Sequence, residues 1–206
     1  MKRCASAVAI AAAILIDGQA DTLSFDFEDP RGVSNVAFSL DAPLESIQGT
    51  AKGLSGSVNV DPTDLTTATG RIAVATKSLV VPNPLMRMHL LSKDWLNARS
   101  NPQITFEIRK VAGVRKKGAN TSEVVVTGTF SLNGITKEIV AKADIIYMPG
   151  RLAESSNGKF QGDLLVVRSD FKIRRSDFGV RPREFLDKVS DEIALSVSII
   201  GAAQKL

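Results

Sequence analysis

Apolar and polar residues alternate along most of this chain, most cleanly where Ile104, Phe106 and Ile108 take one parity and Thr105, Glu107 and Arg109 the other. A period of two belongs to a strand with one face buried and one wet. Similar strands are expected at Leu23 to Glu28 and Val36 to Leu40, with a turn around Pro30-Arg31-Gly32 folding them into a first hairpin. Leu54, Val58 and Val60 share a parity with Gly56 between them, as in a strand that must bend or approach another backbone closely. Ile72 and Val74 mark the next strand. Val124, Val126, Phe130 and Leu132 lead into Asn133-Gly134, a pair suited to a two-residue hairpin turn, and Ile139, Ala141, Ala143, Ile145 and Tyr147 follow. Leu165, Val167, Phe171 and Ile173, then Ile193, Leu195, Val197 and Ile199, complete the series.

One stretch breaks the pattern. Between Val81 and Pro102, Asn83 suits an N-cap, Pro84 the first helical position, and Leu85, Met88, Leu91 or Ser92, and Trp95 recur at helical spacing. This predicts a helix with an apolar stripe, either a plug over a cavity or an ordinary cover for the end of a sheet. About eight long antiparallel strands with one helix close most naturally into a barrel, whose interior at that size holds one small ligand; a sandwich is the structural alternative.

Composition adds an address. The chain opens on Met1-Lys2-Arg3, runs apolar from Ala5 to Ile16, and has small residues at Gly18 and Ala20, which reads as a secretory leader over 1–20 followed by one domain over 21–206. A membrane anchor would need roughly 20 apolar residues, so none is expected after cleavage, and the protein is expected in the periplasm or secreted. Cys4 is the only cysteine and lies in the leader, leaving stability to packing. Loss of the leader takes the net charge from +4 to +3 (24 basic minus 21 acidic), too little to imply a nucleic-acid partner. The basic hairpin tip Val114 to Asn120 has no aromatic among its charges to stack bases, and the glycines from Gly49 lead into a strand rather than the helix of a phosphate loop.

Catalytic chemistry is thin. One His and no mature Cys leave a zinc site without its usual ligands, and Asp26, Glu28 and Asp29 read as solvated charges at a strand end. A serine triad could assemble only around His89, with no nucleophile elbow, and nothing singles out a carboxylate pair. No catalytic residue, metal site or cofactor is therefore assigned.

Three segments stand out together: His89-Leu90, Ser92, Asp94-Trp95 and Asn101-Pro102-Gln103-Ile104-Thr105-Phe106-Glu107; Val126 to Lys137; and Arg175-Ser-Asp-Phe-Gly-Val180. In that order they resemble the helix-to-strand segment, the strand-turn-strand signature and the late motif of the YceI-like family of exported, lipocalin-like, polyisoprenoid-binding proteins. The chain departs in having Met86-Arg87 where the family often has Arg-Asp, and Asn133 where it often has His.

The resemblance implies a barrel whose elongated interior holds an isoprenoid or other long-chain lipid, an isoprenoid quinone included, with a polar mouth for the head. On that reading parity assigns Phe38, Leu40, Val58, Val74, Ile104, Phe106, Phe130, Leu132, Leu165 and Phe171 to the tail, with Leu85, Met88 and Trp95 from the helix. Arg87 and His89 are the head-group candidates, with a solvent-facing position as the alternative for both. The implied function is lipid carriage or storage without catalysis, with a homodimer left open. The alternatives are an enzyme of isoprenoid metabolism using the same cavity and a non-binding stress or adhesion module with a filled core.

Overall fold

The structure, a computed structural model, describes residues 22–29, 32–41, 43–44, 46–182 and 184–205. The expected leader lies outside the described residues. Ten strands form one sheet: β1 (Leu23–Asp26), β2 (Asn35–Asp41), β3 (Ser46–Ala51), β4 (Leu54–Asp61), β5 (Asp64–Ala75), β6 (Gln103–Lys116), β7 (Thr121–Leu132), β8 (Ile135–Met148), β9 (Gly162–Arg174) and β10 (Glu192–Gln204). Helix α1 (Pro84–Leu91) joins β5 to β6, and the single turn α2 (Leu152–Ser155) joins β8 to β9. All neighbours are antiparallel, and pairing of β1 with β10 at Asp26 and Ala202 closes the sheet into a barrel.

The ten strands make eight staves. β1 and β2 lie one after the other along β10, and β3 and β4 face them in turn, separated only by Lys52 and Gly53. The hairpin expected between Leu23–Glu28 and Val36–Leu40 is therefore corrected. β1 pairs with β4 and β2 with β3, and the first two strands are halves of one broken stave. Parity marks which side chains face inward, but a break that lets the chain continue in the same direction has the same period as one that turns it back.

Other local expectations hold. Asn133 and Gly134 have φ of 51° and 77°, the left-handed pair of a tight hairpin turn, and Leu132 pairs directly with Ile135. Gly56 lies so close to β5 that a Cβ there would stand 2.1 Å from the Arg71 carbonyl oxygen, which is why the inward series of β4 is interrupted at that position.

The helix starts as its sequence indicates. The Asn83 side chain accepts from the Leu85 and Met86 N–H groups at 2.9 and 3.3 Å, and Pro84 takes the first position. It ends at Leu91, with Ser92 N–H bonded to the His89 carbonyl. The expected stripe assumed a helix reaching Trp95; with two turns only, Leu85 and Met88 face outward, 66% and 60% exposed. Leu90, and Trp95 and Leu96 from the turns beyond, face the barrel instead.

The core has two poles. At the end carrying the β4–β5, β6–β7 and β8–β9 turns, Phe25, Phe27, Val60, Leu165 and Ile199 pack together, with both phenylalanines at 0% exposure. At the helix end, Leu79, Leu96, Phe130, Leu132, Phe178 and Val180 form a second cluster. Burying a side chain of this size contributes about 1.5 to 3 kcal/mol.

Candidate ligand cavity

Between the two poles the inward-facing side chains leave a cavity of about 280 Å³. Strand alternation delivers apolar residues to it from every stave, and Thr105, Ser169 and Arg175 are the polar residues among its lining. Two of its aromatics lie against glycines. A Cβ on Gly49 would sit 2.2 Å from the Phe38 ring, and one on Gly128 2.3 Å from the Phe106 ring. Each ring thus occupies the side-chain space its glycine leaves vacant while still lining the lumen.

The residues that parity assigned to a tail converge here. Phe38, Leu40, Val58, Val74, Trp95, Ile104, Phe106, Phe130, Leu132, Leu165 and Phe171 all line the cavity. Leu85 and Met88 do not, because the outer face of α1 carries them. Arg87 turns toward the protein's own backbone: its Nε donates to the Leu79 carbonyl at 2.8 Å and its Nη2 to the Lys77 carbonyl at 2.7 Å, strapping α1 to the preceding turn. His89 is exposed on the outside of the helix. Lining residues that parity did not put forward include Leu90, Leu96 and Arg175, whose approach depends on how the connections between strands fold over the rim, and Thr105, expected on the wet face of β6 but buried where β6 begins.

Arg175 organises the floor. It is wholly buried and gives all its donors to backbone carbonyls: Nε to Ser190 at 3.1 Å, Nη1 to Val180 at 2.9 Å and to Arg181, and Nη2 to Glu184 at 2.5 Å and Val189 at 3.3 Å. Burial lowers its pKa from the usual guanidinium value, and the carboxylates of Asp191 and Glu184 oppose that shift. With its five N–H groups occupied, it holds residues 180–181, 184 and 189–190 across the barrel end rather than reaching for a ligand.

The same end is closed by a second set of contacts. Asn101 Nδ2 donates to the Leu96 carbonyl at 3.2 Å and to Asn133 Oδ1 at 3.1 Å, and Asn133 Nδ2 donates to the Phe178 carbonyl at 3.2 Å. Trp95 stacks on Phe185 at 6.5 Å between centroids, and Arg181 lies over that ring while its Nε donates to the Asp94 carbonyl at 3.0 Å. The three segments that carried the family resemblance therefore meet at one rim, tied by hydrogen bonds. Among the described residues no group of three or more His, Cys, Asp or Glu is placed to hold a metal ion.

A closed antiparallel barrel with an apolar lumen and a helix-bearing rim is the architecture of lipocalin-like domains. The YceI-like domain profile matches residues 22–200, and the chain belongs to that family. It is 25% identical to a UPF0312 protein of Pseudomonas aeruginosa over 99% of this chain and 100% of that protein. It is 29% identical to Protein YceI of Escherichia coli O157:H7 over 77% of this chain and 75% of that one. Among solved structures, Burkholderia cenocepacia BcnA superposes with a TM-score of 0.64 at 19% identity, covering 81% of this chain and 95% of its own. A polyisoprenoid binding domain from Saccharophagus degradans, implicated in plant cell wall breakdown, gives 0.62 at 10% identity, covering 88% and 99%. The sequence resemblance and the barrel are both borne out.

Proposed function

We propose that this protein binds an isoprenoid or other long-chain lipid, an isoprenoid quinone included, with the chain held in the barrel, and that it carries or stores that lipid in the periplasm. The observation that carries the reading is an apolar cavity inside a closed barrel. Each buried CH₂ contributes on the order of 0.8 kcal/mol, so a chain of several isoprene units gains affinity from the lumen alone. None of the cavity's lining residues is a carboxylate, His or thiol, which favours holding a chain over reacting with it. The polyisoprenoid binding domain with the same fold supports the choice of lipid, and the leader-like residues 1–20 support the address.

Organic extraction of the purified protein followed by mass spectrometry should release a long-chain lipid. In titrations of lipid-free protein with a long-chain isoprenoid, Trp95 emission should move to shorter wavelength as its environment dries. An extract without lipid, together with a flat titration, would remove the reading.

A further inference from the structure

The barrel wall is incomplete on one side. β8 pairs with β7 from Thr121–Ile146 to Leu132–Ile135, and β9 with β10 from Glu192–Arg174 to Gln204–Gly162, but β8 and β9 pair with each other only from Asp144–Arg168 to Met148–Leu164. Below that point the facing edges, residues 135–143 of β8 and 169–174 of β9, make no ladder with each other. Ser169 Oγ, donating to the Lys142 carbonyl at 2.7 Å, marks the upper limit of the slit. The bond from Asn133 Nδ2 to the Phe178 carbonyl spans its lower end.

Barrels ordinarily remove such edges, and an open one is normally guarded by charge. Here Lys142, Asp170 and Lys172 line an outer groove that crosses the slit beside Val140, which is 63% exposed, and continues over β10, β2 and β3 to Val81 and Pro82. Ala141 and Phe171 at the slit, like Phe38 and Leu195 on the paired strands β2 and β10, line both this groove and the inner cavity, so one side-chain layer separates the two. β5 and β6 also part beyond Gly70 and Ile108, but there Leu65 and Ala68 pack against the Val111 and Val124 cluster. The packed phenylalanines close one end of the barrel, and Trp95, Phe185 and the Arg175 carbonyl network close the other.

We propose that the slit between β8 and β9 is a side door through which an apolar chain passes between solvent and lumen, with Phe171 as its gate. The proposal rests on the lipid-binding reading above. It follows that a ligand enters along its length, and that rates are set at the door while affinity is set by the lumen walls.

Continuing the β8–β9 register past Asp144 and Arg168 sets Val140 opposite Lys172, both exposed. In a Cys4→Ser background, Val140→Cys with Lys172→Cys, joined by a bis-maleimide, bars the slit without touching the cavity lining. With the fluorescent polyene parinaric acid as probe, stopped-flow uptake and release should both slow at least tenfold in the linked protein, equilibrium affinity staying within about threefold of the unlinked variant. Phe171→Ala should quicken both rates. Equal rates with and without the link would overturn the door, as would a loss of affinity carried by release alone, which marks a strained wall. If neither linked nor unlinked protein takes up the probe, the lipid-binding reading itself fails and the door with it.

Discussion

Phe25 is wholly buried at one end of the barrel, whereas Phe38, Phe106 and Phe171, nearer the helix, keep part of their surface free although they too point inward. Phe25 sits among side chains that fill the space around it, with Tyr147 edge-on at 6.3 Å. The three others border a void. An interior position in a barrel is thus two different environments, one that supplies folding energy and one that keeps apolar surface available for a ligand.

Removing a ring should show the contrast at its largest. Phe25→Ala at the packed end is expected to cost about 3 to 5 kcal/mol, because transfer energy is lost and a new cavity opens. Denaturant melts of lipid-free protein measure this. Lipid affinity of the molecules that remain folded should be little changed. A small loss would mean that the packed end also holds unfilled space.

Phe130 tests the boundary between the two environments. Parity placed it with Phe106 as cavity wall, and it does line the cavity, but it is only 8% exposed and meets Phe171 and Phe178 edge-on at 6.2 and 5.5 Å. Phe130→Ala should therefore cost about 2 to 4 kcal/mol, nearer to a core truncation, and also weaken lipid binding. At Phe106 the void already exists. Phe106→Ala should cost about 1 to 2 kcal/mol in lipid-free protein yet weaken binding about tenfold, the equivalent of 1.4 kcal/mol of lost contact. If Phe106→Ala destabilised as much as Phe25→Ala with affinity intact, the contrast would collapse.

Alternation was enough to read the barrel and most of its lumen wall, because a one-residue slip would turn every apolar side chain outward. It could not distinguish Phe25 from Phe106, since parity reports direction and not whether the space ahead is filled. Helical spacing misplaced Leu85 and Met88 because Ser92-Lys93-Asp94 contains no breaker to announce that α1 ends at Leu91. The family segments located Asn101, Asn133 and Arg175, but their work as rim staples depends on carbonyls distant in sequence. The slit left little local trace: within residues 135–143 only Lys137 and Val140 depart from alternation, and a missing neighbour is a property of the sheet.

The smallest expected effect concerns a polar pair at the packed end. The Asp163 carboxylate accepts from the Gly150 N–H at 2.8 Å and the Tyr147 hydroxyl at 2.7 Å, and pairs with Lys205 at 3.2 Å. Burial would raise its pKa, but the hydrogen bonds from Gly150, Tyr147 and Lys205 outweigh burial and hold it below 3.8. Burial, reinforced by the bond to Asp163, pushes Tyr147 from 10.0 up to about 12. A lowered acid stabilises the fold above its unfolded pKa and loses that contribution as pH falls through the folded value, so Asp163 acts below about pH 4. A raised phenol contributes in full below pH 10 and loses its contribution as pH rises from there through about 12. Between those limits the pair should leave stability flat. Tyr147→Phe keeps the ring and should cost about 1.5 kcal/mol at neutral pH, the lower range for a hydrogen bond to a charged group, because Gly150 and Lys205 still hold the carboxylate. Its melting temperature should also fall less than that of the parent between pH 10 and 12, while lipid affinity at the far end of the barrel stays the same. An unchanged alkaline limb would show that Tyr147 ionises as freely in the fold as in the unfolded chain.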